Sequence, residues 1–200
     1  MRSIVMCLIT ALLLADLIAG GVSAGPYEDG KAAYDNGDYE TALSLIRPLA
    51  EQGHSAAQAD LGFMSYEGRG LPQDYAAAEK WLRLGAEQGN PEAQLGLGEM
   101  YYQGRGVEMD SAEAAKWYRR AADQGKPWAM IKLGLMYVYG WSGERNNLLA
   151  HIWFDLAASH GEGKARQSAS QYRDIAAGFM SPDQITEARR LAREWKPKAE

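Results

Sequence analysis

Cysteine is nearly missing: Cys7 is the only one in 200 residues. That excludes an internal disulfide and a thiolate metal site. Histidine is scarce too. His54, His151 and His160 share no metal-ligand spacing, no His-Glu-x-x-His occurs, and each is read as a surface or loop residue. There is no basic excess, since 21 Lys and Arg face 26 Asp and Glu for a net charge of −5. An electrostatic nucleic-acid binder is thereby excluded. No stretch alternates convincingly with period two, so strands are not expected. With 46% hydrophobic and 24% charged residues, the composition is that of an ordinary globular chain. It is not that of a disordered tail, a collagenous rod or a multi-pass membrane protein.

One apolar run stands at the start. Arg2 precedes Ile4 to Ala15, and Asp16 interrupts the run short of the roughly 20 apolar residues a bilayer span requires. Small residues at Val22 and Ala24 fit a signal peptidase, which predicts a signal peptide over 1–24 cleaved after Ala24. The length argues against an uncleaved anchor. The place of Cys7 inside the run argues against a lipoprotein. The mature chain is expected to be periplasmic or secreted, free of thiols and of any membrane span, and held together by packing alone.

The glycines number 22 and fall in register. Gly53, Gly89, Gly125 and Gly161 recur every 36 residues, as do Ala50, Ala86, Ala122 and Ala158. So do Trp81, Trp117 and Trp153; Leu61, Leu97 and Leu133; Gly62, Gly98 and Gly134; and Asp38, Asp74, Asp110 and Asn146. A fixed period of this size marks a solenoid or array.

Each unit reads as two helices. In the second, Pro91 opens helix A, Gly104-Arg105-Gly106 ends it, and Asp110 caps helix B. Asp110-x-x-Glu113 has the spacing of a capping box. Gly98 is expected to let helix B come close, with Trp117 as the large plug. One unit cannot bury these faces alone, but stacked units can. The predicted fold is all-α, a short α/α solenoid of about three full helix-pair repeats with atypical capping helices at both ends. The expected divisions are 25–49 as an N-terminal half-repeat, 50–161 as the repeats (50–85, 86–121 and 122–157 or 161), and 162–200 as capping helices. A stripe of Ile185, Ala188, Leu191, Ala192 and Trp195 suits the last helix to cover the final hydrophobic face.

Leu97-Gly98-x-Met100-Tyr101-x-x-Gly104-x-Gly106, followed by Asp110, Ala114, Trp117-Tyr118, Ala121-Ala122 and Gly125, resembles a Sel1-like repeat. These are α/α units related to tetratricopeptide repeats. Ala57 to Gly89 and Ala129 to Gly161 are similar copies, with Ser65 replacing the tyrosine of Tyr101 and Tyr137, and Gly140-Trp141-Ser142 breaking the Gly-x-Gly turn. The resemblance implies a non-catalytic scaffold for protein or glycan contacts, whose exported bacterial members are associated with the envelope. Some cysteine-rich relatives are described as binding or hydrolysing β-lactams. Residues 25–200 lack cysteine and the chain has no Ser-x-x-Lys, so that chemistry is not expected.

Other readings of the motifs are weaker. The turns at 68–70 and 104–106 lack the strand and the Gly-Lys-Ser/Thr of a phosphate loop. Asp74 and Asp110 are helix caps rather than a catalytic pair. No enzyme, cofactor or metal site is therefore predicted.

What is left is a surface. Helix A lines the inner wall of related solenoids, and the stripe away from its packing positions carries Ala59, Phe63, Tyr66 and Glu67. In the next unit it carries Leu95, Glu99, Tyr102 and Gln103, then Ile131, Leu135, Val138 and Tyr139. The stripe reads either as an apolar groove for a peptide or partner helix, or as packing against the adjacent unit. Trp128 and Trp141 fall outside the tryptophan series and are candidates for exposed aromatics. The function expected is an exported adaptor that binds a protein or peptide on this concave face. The alternative is a peptidoglycan-associating module with Tyr102, Tyr139 and Trp141 as sugar platforms. The oligomeric state is left open.

Overall fold

Proline at the first helical position or an oxygen-bearing cap just before it fixes where most of the helices begin. In the computed structural model, which describes residues 25–141 and 143–198, these signals divide the described residues into ten helices. The leader expected at 1–24, with Cys7 and the cleavage after Ala24, lies outside the described residues, as does Ser142 of the third turn. The A helices are α1 (Pro26–Asp35), α3 (Ser55–Glu67), α5 (Pro91–Gln103), α7 (Pro127–Tyr139) and α9 (Gly163–Ala177). The B helices are α2 (Tyr39–Glu51), α4 (Tyr75–Glu87), α6 (Ser111–Asp123), α8 (Asn147–His160) and α10 (Pro182–Glu194). There is no strand among the described residues.

The same local chemistry repeats at each step. Asp74 accepts from the Ala76 and Ala77 amides, Asp110 from those of Ala112 and Glu113, and Asn146 from that of Leu149. The amide of each cap donates back to the previous A helix: Asp74 to Ser65 O at 2.9 Å, Asp110 to Tyr101 O and Asn146 to Tyr137 O at 3.0 Å. The expected capping box at Asp110 therefore does not close, because its amide is already committed to Tyr101 and Glu113 pairs with Lys116. The reciprocal box forms instead at Ser181 and Gln184.

From α1 to α7 each A helix packs on its own B helix, and from α3 onward each leans on the B helix before it. The close approach is set by Gly62, Gly98 and Gly134. A methyl group at Gly98 would stand 2.7 Å from the Tyr118 ring, and one at Gly134 would stand 2.5 Å from Phe154. The plug over this glycine is therefore the Leu82, Tyr118, Phe154 series rather than Trp117. The reason is geometric: Trp117 points one residue round the helix, where it is buried in the cluster with Leu97 and Met100. Between repeats, the Gln58 and Gln94 amides are buried and donate to Ala50 O and Ala86 O, while accepting from Gln88 and Gln124. Their polar atoms are paired, which removes the cost of hiding them.

The ends differ as terminal units should. Helix α10 packs on α8 rather than forming a hairpin with α9, through the buried Ala188 and Ala192. Beyond it, Trp195 meets Trp153 edge-on at 6.3 Å, and the Lys198 amide donates to Asp123 O at 2.7 Å. The C-terminal segment thus crosses back from α8 to the end of α6. His151 corrects an expectation. It is not a surface residue but is 1% exposed on α8, with both ring nitrogens unpaired. His54 is exposed and caps α3 through Nδ1, and His160 is exposed at the end of α8.

Candidate functional site

The A helices end on glycine with a left-handed φ of 72° at Gly68, 66° at Gly104 and 71° at Gly140. This turns the chain sharply and throws the next residues over the neighbouring repeat. Arg69 thereby lies over the Tyr34 ring at 5.3 Å, and Arg105 over the Tyr66 ring at 5.5 Å. Each guanidinium also donates to that tyrosine's hydroxyl at 2.6 Å. One repeat on, the arginine position holds Trp141 and the tyrosine position holds Tyr102. Their ring centroids are 5.4 Å apart, and Tyr139 also stacks on Trp141 at 4.5 Å and 21°.

The stripe proposed from the sequence splits along its length. Ile131 is a correction: it is 2% exposed, as is Ala59, and both belong to the packed core. Phe63 is half-buried and fills the space that Gly96 leaves on the next A helix. Leu95 and Leu135 are half-buried against the largest core cluster. Adjacent A helices meet here (α3 with α5, α7 with α9), so the early positions of the stripe face protein. Toward the helix ends the wall opens. Tyr66, Glu67, Glu99, Tyr102, Gln103 and Tyr139 all keep accessible surface.

Four of those end residues, Tyr66, Glu67, Glu99 and Gln103, are held by hydrogen bonds. Tyr34 donates to Glu67 at 2.9 Å, Tyr66 donates to Gln103 at 2.9 Å, and Gln103 donates to Glu99. Glu99 also accepts from Tyr118 at 2.7 Å and pairs with Lys132 at 2.8 Å. Burial works to raise the Glu99 carboxyl, but Lys132 and Tyr118 outweigh it and leave its pKa below the usual value. Burial, reinforced by the Glu99 charge, pushes the Tyr118 hydroxyl well above its ordinary value. Burial and then the Glu67 hydrogen bond push Tyr34 up to about 12. All of these groups hold a fixed protonation state near neutral pH, which suits a positioned surface better than proton transfer.

Two kinds of cleft result. At the N-terminal end, Tyr27, Tyr34, Phe63 and Lys31 line a hollow that also carries the carboxylates of Asp60, Glu67 and Glu92. At the C-terminal end three clefts adjoin one another, and none is lined by a carboxylate. The smallest, about 90 Å³, lies between Tyr102, Tyr118, Lys132, Leu135 and Trp141. A wider one shares Tyr102 and Trp141 with it and is lined also by Arg105 and Met109. The third runs from Tyr139 and Arg145 to Ile175 and Phe179. Met109, Tyr139, Trp141, Ile175 and Phe179 are 43–71% exposed, so this corner shows a cluster of large apolar side chains of the kind that marks an interaction site. Trp128, also half-exposed, stands at the opposite end of α7.

Ile175, Phe179 and Met109 were not singled out from the sequence. Ile175 and Phe179 sit in the polar fourth unit, outside the repeat register. Trp141 and Tyr102 carry a readable signal, since 36-residue spacing sets them against Arg105 and Tyr66. No group of His, Cys, Asp or Glu able to hold a metal ion is found among the described residues, and no helix there is long and apolar enough to cross a membrane.

The profile of the Sel1 repeat matches residues 55–90, 91–126 and 129–162. Among solved structures, the chain is similar to a protective antigen present in uropathogenic Escherichia coli strains and displaying an SLR fold. The two are 33% identical with a TM-score of 0.76, over 85% of this chain and 37% of that one. It is also similar to a Sel1 repeat protein from Oxalobacter formigenes, 30% identical with a TM-score of 0.70, over 86% of this chain and 69% of that one. The chain thus spans little more than a third of the E. coli antigen's length. No curated protein matches it.

Proposed function

Because the chain belongs to the Sel1 repeat family, we propose that it is an exported adaptor of the bacterial cell envelope that holds a protein or peptide partner at the C-terminal end of its A-helix wall. Sel1 repeats generally mediate protein–protein interaction, and the family is typically a non-catalytic scaffold. The observation that carries the reading is the meeting of three carboxylate-free clefts around Trp141, Tyr102 and Tyr139. Exposed aromatics clustered at adjoining hollows are what binding hot spots are made of. Export rests on the leader expected at 1–24 and on the absence of cysteine from residues 25–200.

The test is cross-linking in the native envelope followed by partner identification, with wild type beside Trp141→Ser. Loss of one specific partner in the variant, with helicity unchanged, is the expected result. A partner captured equally by both would remove the site. Fractionation of the same cells tests export, since the protein should leave the cytoplasm with its first residue at Gly25.

A second reading, association with peptidoglycan, draws on the same rings. Tyr102, Tyr139 and Trp141 do come together, but they stack on one another. A sugar ring needs an open aromatic face, and Tyr139 covers one face of Trp141. Sedimentation with purified cell wall separates the two readings.

A further inference from the structure

We propose that the segment recognised at Trp141 is an extended, proline-rich peptide with acidic flanks, lying across the indole with its rings in the clefts on either side. This rests on the adaptor reading above and adds the chemistry of the partner.

The argument is one of hydrogen-bond and charge complementarity. Most tyrosines on or beside this wall have engaged hydroxyls: Tyr27 on Asp60, Tyr34 on Glu67, Tyr66 on Gln103, Tyr118 on Glu99. The Tyr102 and Tyr139 hydroxyls and the Trp141 indole N–H have no partner among the described residues. The cations lining the three clefts are Arg105, Lys132 and Arg145. Glu99, the carboxylate behind Lys132, is occupied by Lys132, Tyr118 and Gln103. The clefts therefore offer apolar surface and donors, with no carboxylate in their lining.

Proline matches that inventory. It brings an apolar ring and a carbonyl acceptor with no backbone N–H to satisfy. In the polyproline II form its carbonyls point outward, and the segment is already extended before binding, which reduces the ordering cost. Aromatic ridges separated by narrow clefts are the general means of gripping such a helix. An amphipathic helix would need a long open trough. That trough is missing, because Phe63, Leu95 and Ile131 are packed against protein. Acidic flanks follow from the cations at the cleft margins.

The experiment is calorimetric titration of the full chain with synthetic peptides, alongside the indole N–H resonances in NMR. The first probe carries Pro-Pro-x-Pro between Asp and Glu residues. The second has the same charges with alanine for proline, and the third is a soluble peptidoglycan fragment. The first is expected to bind, to shift the Trp141 indole signal, and to exceed the second by about tenfold. Trp141→Phe keeps an aromatic ring but loses the N–H, and should weaken binding by about fivefold to tenfold with an unchanged circular dichroism spectrum. Equal affinity for the first two probes, both lost in Trp141→Ala, would overturn the proline assignment and leave the adaptor reading standing. Binding of the glycan fragment alone would overturn both.

Discussion

Trp141 occupies, against Tyr102, the place that Arg105 occupies against Tyr66 one repeat earlier. The backbone that delivers the two is the same: an A helix ended by a left-handed glycine, then a chain reversal over the neighbouring repeat. In the earlier repeat the guanidinium satisfies the tyrosine hydroxyl and closes the surface with charge. In the later one an indole leaves the hydroxyl unpaired and the surface apolar. The repeat supplies the frame, and one substitution within it makes the site.

Reverting that substitution should separate stability from binding. In Trp141→Arg, the guanidinium is expected to stack on Tyr102 and donate to its hydroxyl, as Arg105 does on Tyr66. Thermal unfolding should stay within about 1 kcal/mol of wild type, the scale of one exposed cation–π contact. Capture of the partner should fall to background.

Gly134 is the tightest of the interhelical contacts. A methyl group there would overlap the Phe154 ring, which is itself fully buried. Gly134→Ala should destabilise by about 1–3 kcal/mol despite the gain in helix propensity, because overpacking outweighs it. Denaturant titration measures the change. Gly134→Ala with Phe154→Leu, the residue type of Leu82 at the first-repeat position, should recover part of the loss.

His151 predicts a pH dependence. Burial holds its pKa below the ordinary histidine value, working with Arg173 on α9 and Arg189 on α10 against Asp155 on its own helix and Asp174 on α9. The folded state therefore binds this proton less readily than the unfolded chain. Stability from this site is complete above the unfolded value of about 6.5. It is lost as the pH falls from there toward the depressed folded value. Unfolding free energies across that window should slope downward with acid in the wild type. The slope should be reduced in His151→Leu, which also removes two unpaired buried nitrogens and should be more stable at neutral pH by about 1 kcal/mol.

Ile131 tests the corrected part of the wall. Ile131→Glu would place a carboxylate in a site 2% exposed with no cation provided for it, and should cost about 3 kcal/mol or more. Tyr139→Glu, at a position 50% exposed, should leave the unfolding midpoint nearly unchanged while weakening partner capture. Similar losses of stability in both would contradict the division between buried and open positions.

Periodicity was sufficient to establish the stack of helix pairs. Spacing of glycine, capping oxygen and alanine is local chemistry, and the same local chemistry every 36 residues admits one way of burying the faces it creates. The stripe on the last helix was legible from local spacing in the same way, and its Ala188 and Ala192 are buried. What a periodic pattern leaves undetermined is which neighbour a half-apolar side chain meets. Leu95 and Ile131 read as groove or as packing until the distance between adjacent A helices was known. His151 read as surface until α9 and α10 closed over α8. The corner where Trp141, Tyr139, Ile175 and Phe179 converge draws on two turns and two helices with no common register. Only the stacking of the units brought them together, because contact between distant segments is fixed by how the helices sit and not by their order along the chain.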